Sequence, residues 1–324
     1  MMSKGFGFGF LLVAVLLGVA LTAFAQELPS RVVIAYQPGL GYTNLIVLKQ
    51  QRVLERRYPN VTFEWRVLAS GAAIRDGMIA GHIHVGAGGV GPFLVGWDRG
   101  VGWGLLASLN RMDLWLVTLN PNIRSLRDFR PGMQIGLPAP DSIQAVVLRR
   151  GAQVQLGNPR ALDGNIVAVA HPDGLRLLQA GQLAAHLSAP PFQFQEVEEL
   201  GGRIVMGSFE LFGEHTFNSV FMMESFYRKY PDFALSLFRA IEDATNLINT
   251  NPREAARLLS LEDQGRISPE QYYRWLTKPG VRFDVVPRGF LRFASAMREM
   301  GLISRSPRSI EDLVLPTLVG RGGN

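Results

Sequence analysis

Short apolar runs rich in Val and Ile alternate along this chain with stretches whose apolar residues recur at helical spacing. The run Val32-Val33-Ile34-Ala35 leads into a loop, Tyr36 to Gly41, and then into Leu45, Leu48, Val53 and Leu54 at helical intervals. Runs of this kind, bounded by turn residues, belong to parallel sheets covered on both faces. Helix starts are marked by Thr43 and Ser70 as N-caps, and by Asp141-Ser142-Ile143-Gln144 at capping-box spacing.

The pattern then repeats. Ile79 to Gly88 reappears one hundred residues later as Gln179 to Ser188, and each copy runs into a Pro-Phe pair, Pro92-Phe93 and Pro191-Phe192. Val32 to Ala35 with its loop corresponds to Met133-Gln134-Ile135-Gly136 followed by Leu137 to Asp141, and Val67 to Gly71 corresponds to Val167 to His171. Each copy predicts strand, loop, helix, strand, loop, helix, strand, loop. Two runs, Leu114 to Leu119 and Thr216 to Met222, are expected to join the copies as a two-stranded hinge. The remainder is expected to be helical: Pro231 to Ile248, then helices opened by Asn251-Pro252 and Ser268-Pro269, with Pro behind a polar cap.

The fold expected is therefore α/β with two lobes. Residues 26–118 and 220–324 form lobe I with the C-terminal helices, and residues 119–219 form lobe II. In open α/β sheets ligands sit beyond the carboxyl ends of the strands. Two lobes facing each other across a hinge thus make a cleft lined by helix N-termini, whose free N–H groups suit anionic groups.

Composition narrows the classes of function. The first 25 residues carry one charge, Lys4, and an apolar run from Phe6 to Leu21 that ends in Ala23-Phe24-Ala25. This is expected to be a secretory signal peptide, cleaved before Gln26 and sending the chain to the periplasm, with an uncleaved membrane anchor as the alternative. There is no Cys among the 324 residues, which excludes disulfides, thiolate metal sites, a Cys nucleophile and a lipid-bearing Cys. The net charge is +6, and only four of the 33 basic residues are Lys. No basic run exceeds two residues, so no nucleic-acid partner is expected.

Gly86-Ala87-Gly88-Gly89-Val90-Gly91 matches the dinucleotide pattern G-x-G-x-x-G. Its counterpart, His186 to Pro191, has lost every glycine while the order of elements is kept, and Pro92 makes a poor start for a long helix. The glycines are expected instead to allow close backbone approach and a tight turn. No hydrolase elbow, zinc helix motif, Walker loop or Ca²⁺ loop is present, so no catalytic residue, metal or cofactor is expected. His82 and His84 share one face of a strand without a carboxylate beside them; His171 and His186 fall at predicted cleft loops.

Tyr36-Gln37-Pro38-Gly39, Ser70-Gly71, Gly86 to Val90, Ser142 to Ala145, His171-Pro172-Asp173, Ser188 to Phe192, His215 to Asn218 and Asn251 to Ala256 together resemble the periplasmic solute-binding proteins of the nitrate, sulfonate and taurine ABC transporters. The resemblance implies a type II periplasmic-binding-protein fold, a monomer that closes on a small molecule and delivers it to a permease and ATPase at the inner membrane. It implies ligand-binding roles for Gln37, Pro38, Gly39, Leu40, Ser70, Gly71, Ala72, Gly88, Gly89, Val90, Ser142, Ser188 and Pro190. His171, Phe192 and Phe217 join them from the residue reading, with Tyr36 as a further apolar wall. Family members commonly carry Asp where this chain has His84 and Ala184, and a small residue at Asp141, which is expected to cap its helix. The expected ligand is a small organic anion; the alternatives are an aromatic or heterocyclic solute, a secreted α/β enzyme and a sensory binding protein.

Overall fold

The computed structural model describes residues 27–324, so the expected signal peptide lies outside the described residues. The strands are β1 (Arg31–Tyr36), β2 (Thr62–Val67), β3 (Val85–Gly89), β4 (Trp103–Ser108), β5 (Asn110–Arg111), β6 (Trp115–Thr118), β7 (Ile135–Leu137), β8 (Ile166–Ala168), β9 (Ala185–Leu187), β10 (Arg203–Gly207), β11 (Asn218–Met223) and β12 (Arg282–Phe283). The helices of the first copy are α1 (Thr43–Gln50), α2 (Val53–Arg57), α3 (Gly71–Ile79) and α4 (Val90–Asp98). The second copy supplies α5 (Ile143–Leu156), α6 (His171–Gln179), α7 (Phe192–Glu198) and α8 (Ser208–Phe212). The rest are α9 (Glu224–Lys229), α10 (Pro231–Thr250), α11 (Pro252–Glu262), α12 (Pro269–Leu276) and α13 (Phe290–Glu299).

The strands form two five-stranded sheets of order β2-β1-β3-β11-β4 and β10-β6-β9-β7-β8. In each, the first strand of the repeat lies between its two parallel partners: β1 pairs with β2 and β3, and β7 pairs with β8 and β9. The registers correspond as the sequence repeat requires, Ile34 opposite Val85 in one sheet and Ile135 opposite Ala185 in the other. Val32, Val33, Ile34 and Ala35 are fully buried, as is Ile135, because helices cover both faces. The structure is the two-lobed α/β arrangement expected, two mostly parallel sheets flanked by helices.

One strand in each sheet runs against the others, and in each case it is the strand that arrives from the opposite lobe. β11 is antiparallel to β3 and β4, and β6 is antiparallel to β9 and β10. The run Leu114 to Leu119, expected in the hinge and in lobe I, is therefore β6 of the second sheet. Likewise, most of Thr216 to Met222 is β11 of the first. The chain crosses before each of them, at Leu109–Leu114 and at Ser208–Phe217. There the two crossings pair with each other: the Leu109 N–H donates to Asn218 O at 2.9 Å, the Phe217 N–H to Asn110 O at 3.1 Å, and Arg111 bridges to Thr216. The hinge is two-stranded, and it sits a few residues away from the apolar runs.

The crossings are tied by buried side chains. Ser208 Oγ lies 2.9 Å from both Asp113 Oδ1 and His215 Nε2, whose other ring nitrogen faces Thr216 O. Burial holds the His215 imidazole down at about 4, so it is neutral in the hinge.

Local signals mostly hold. Ser70 and Ser142 cap α3 and α5, accepting from the Ala73 and Ala145 N–H groups, and Asn251 and Ser268 cap α11 and α12. Two expectations fail. Thr43 is not a cap: it lies inside α1, its hydroxyl donating to Leu40 O at 2.6 Å. Nor does Asp141 cap α5, because Ser142 takes that position and frees the Asp141 carboxylate to pair with Arg75 of α3. The apolar spacing through Val53 belongs to two helices, since Arg52 is left-handed (φ 50°) and separates α1 from α2.

Candidate functional site

The repeat places its matched positions on either side of one cavity. Tyr42 and Ser142, Gly71 and His171, and Gly89 and Ala189 are each one hundred residues apart, and all six line it. Gln37, Pro38, Gly39, Pro92, Ile143, Gln144, Pro190, Phe217 and Asn218 complete the wall. The cavity encloses about 20 Å³, room for roughly one water molecule. The lobes are closed on each other.

The closure explains Gly89 and Gly91. None of Gly86, Gly88, Gly89 and Gly91 has a positive φ, so none answers to a tight turn; Gly86 is crowded by Ile74, Met78 and Phe221 of its own lobe, and Gly88 has only ordinary contacts. A Cβ at Gly89 would lie 2.8 Å from Ile143 Cγ2, and one at Gly91 would lie 2.8 Å from Asp141 O and 3.0 Å from Ile143 N. The strand-to-helix connection of the dinucleotide pattern does form, with β3 running directly into α4 despite Pro92. Its exposed backbone is covered by the start of α5 from the other lobe. Across the same seam the Leu40 N–H donates to Pro190 O at 2.9 Å, and Arg75 pairs with Asp141. Burial opposes the Arg75 charge, but its hydrogen bond and attraction to Asp141, with Asp76 adding to both, leave the guanidinium more basic than usual.

Donors dominate the wall. The N–H groups of Gly71, which opens α3, and of Ile143 and Gln144, which open α5, have no helical acceptor. Each helix adds the positive end of its dipole. Ser142 Oγ accepts from Ala145, so its O–H proton is free to donate. Buried Asn218 accepts from the Tyr42 hydroxyl at 3.1 Å through Oδ1, while its NH₂ has no partner. Tyr42 in turn accepts from Gln37 Nε2 at 2.6 Å, and burial pushes its phenol far above the usual range, so it stays protonated. Neither Lys nor Arg lines the cavity.

Of the residues singled out from sequence, Gln37, Pro38, Gly39, Gly71, Gly89, Ser142, His171, Pro190 and Phe217 line this cavity. Leu40 and Phe192 face a wider, open groove of about 480 Å³ beside it, which shares Gln37 to Gly39 and is lined also by Tyr36, Val67, Leu175, Glu262 and Asp263. Ser70, Ala72, Gly88, Val90 and Ser188 are outside both linings. Ser70 caps the helix that starts at Gly71; Gly88 lies inside β3 and Val90 opens α4. Ser188 is fully buried behind Ala189. His171 is the first residue of α6, not a loop residue, and His186 lies inside β9, fully buried.

Tyr42, Pro92, Ile143, Gln144 and Asn218 are lining residues that the sequence did not single out. The hundred-residue offset from Ser142 could have found Tyr42. His84 is structural: its Nδ1 accepts the Val33 N–H at 2.9 Å. Among the described residues no group of three His, Asp or Glu is placed to hold a metal ion, and no helix is long and apolar enough to cross a membrane.

Solved structures share this fold. The alkanesulfonate-binding protein SsuA of Xanthomonas axonopodis pv. citri, solved bound to MOPS, superposes with a TM-score of 0.70 at 17% identity, covering 90% of this chain and 98% of that one. The periplasmic nitrate-binding protein NrtA of Synechocystis PCC 6803 gives 0.70 at 13% identity, with 91% and 86% covered. The periplasmic aliphatic sulphonate binding protein SsuA of Escherichia coli gives 0.65 at 17% identity, with 89% and 98% covered. No curated protein matches the chain by sequence. The sequence does match the NMT1-like family over residues 25–261, and the chain belongs to that family.

Proposed function

We propose that this protein is the exported substrate-binding component of an ABC importer, capturing a small organic anion of sulfonate, taurine, nitrate or carboxylate type between its lobes. One observation carries this reading: the N-termini of α3 and α5 meet across a cavity whose wall offers backbone N–H groups, a serine hydroxyl and an amide NH₂. Such a wall suits an oxyanion head group without a paired cation. The closed seam favours capture and release by lobe motion over catalysis in place. Export through a signal peptide cleaved before Gln26, a monomeric state, and delivery to a permease and ATPase at the inner membrane complete the proposal. The solved neighbours include proteins named for alkanesulfonate and nitrate binding, and that supports it.

Thermal unfolding of residues 26–324 tests the reading against nitrate, bicarbonate, taurine, longer alkanesulfonates, benzoate, phthalate, an aminopyrimidine and NAD. A ligand at about 1,000 times its Kd adds roughly 4 kcal/mol, a shift of several degrees. The expected outcome is a large shift with one anion and none with NAD. A shift with NAD alone, or with the aminopyrimidine alone, contradicts it.

A further inference from the structure

The two copies of the repeat differ in what fills the space over their third strand. In the first copy Gly86 of β3 is covered by Ile74 and Met78 of α3. One hundred residues on, the sizes are exchanged: Gly174 of α6 leaves room for the ring of His186 on β9, and a Cβ at Gly174 would stand 2.5 Å from that ring. The exchange admits a polar relay that the first copy lacks. Gln144 Nε2 lies 3.0 Å from His171 Nε2, His171 Nδ1 lies 3.0 Å from His186 Nε2, and His186 Nδ1 lies 2.6 Å from Glu196 Oε1. His186 and Glu196 are fully buried, and Gln144 and His171 are nearly so. Gln144 and His171 line the cavity.

A neutral imidazole has one donor and one acceptor nitrogen, so such a relay points in a single direction. With a Glu196 carboxylate and two neutral histidines, His186 must donate to Glu196, His171 to His186, and Gln144 to His171. The relay then donates inward, and the Gln144 carbonyl is left for the cavity. One added proton on the Glu196–His186 pair reverses the two bonds beyond it, whichever of the two holds it, while the bond within the pair reverses only when Glu196 holds it. His186 now donates to His171, His171 donates through Nε2 to the Gln144 carbonyl, and the Gln144 NH₂ turns to the cavity. Glu196 Oε2 has no partner in its buried setting, so the inward form leaves a poorly solvated charge that the proton removes.

We propose that Glu196 and His186 take up one proton from solvent and that this reversal makes Gln144 a donor to a bound anion, so that proton and anion enter together. The proposal rests on the anion reading of the cavity. His171 relays the change without becoming charged, since burial, and then the His186 beside it, hold its imidazole well below the usual range.

The other charges on the elements packed around the relay have partners of their own. Asp173 pairs with Arg176 on α6, Glu198 of α7 with Lys278, Arg149 of α5 with Asp163, and Arg150 with Glu299; Arg75 and Asp141 pair at the seam. Glu199 stands exposed at the end of α7. Phe192 stacks on the His171 ring at 5.9 Å.

The ¹⁵N spectrum of histidine rings distinguishes the Nδ1–H from the Nε2–H tautomer and is recorded on the unliganded protein from about pH 5 to pH 9. The expected result is His171 as Nδ1–H at the alkaline end and Nε2–H at the acid end, with the change abolished in Glu196→Gln. One tautomer throughout, or the same transition in Glu196→Gln, overturns the proposal. Because the titration uses no ligand, it decides the relay even if the anion reading of the cavity fails, and the wild-type result stands if the variant does not fold. Above the transition, nitrate or ethanesulfonate affinity is expected to fall about tenfold per pH unit; a bound anion with pH-independent affinity overturns the coupling.

Discussion

Gly91 shows how one side chain can act on closure alone. The three atoms nearest to an added Cβ belong to Asp141, Ser142 and Ile143, all in the second lobe. Gly91→Ala is therefore expected to leave the ligand-free melting temperature almost unchanged while weakening anion affinity at least about tenfold, because the clash exists only when the lobes meet. Calorimetric titration beside thermal unfolding measures both. The glycine cluster was visible in the sequence, and the loss of glycines in the second copy pointed away from a nucleotide loop. What the sequence could not show is that the partner of Gly89 and Gly91 is the start of α5, some fifty residues further along, since that contact exists only once the lobes fold and close. His186 is the converse case: its spacing marks it as equivalent to Gly86, but only the packing against Gly174 shows that it is buried.

At the scale of elements, the helix starts were the most legible part of the chain, because a Ser or Asn cap acts through its own next turn. Ser70, Asn251 and Ser268 all cap as their local sequence indicates, while Thr43 does not. Asp141 was harder. Two adjacent residues could each cap α5; Ser142 does, and Asp141 pairs instead with Arg75 from the other lobe. The strands of the repeat were legible as apolar runs, but β6 and β11 were not assignable to a sheet, because their pairing is set by strands a hundred residues away. Two caps separate the structural role from the binding role. Ser142→Ala and Ser268→Ala each remove one N-cap bond and are each expected to cost about 1 kcal/mol of stability. Only Ser142→Ala should also weaken anion binding, since α12 lies outside the cavity wall. Equal affinities in the two variants would remove Ser142 from the site.

For the whole molecule, the repeat makes the cleft. Two copies of one α/β unit face each other, their crossings pair at Leu109–Arg111 with Thr216–Asn218, and equivalent positions meet across the seam. Two places compete for a solute: the small cavity at the helix N-termini and the groove of about 480 Å³ bordered by Glu262 and Asp263. The groove is larger, but there Arg176 and Arg266 stand beside Glu262 and Asp263, whereas the cavity has the free donors of two helix N-termini and no carboxylate in its wall. Mapping backbone amide shifts during titration with the anion that most raises the melting temperature decides between them. The largest shifts are expected at Gly71, Ile143 and Gln144. Shifts centred on Leu259 to Ile267, with those three amides unmoved, would place the anion in the groove instead.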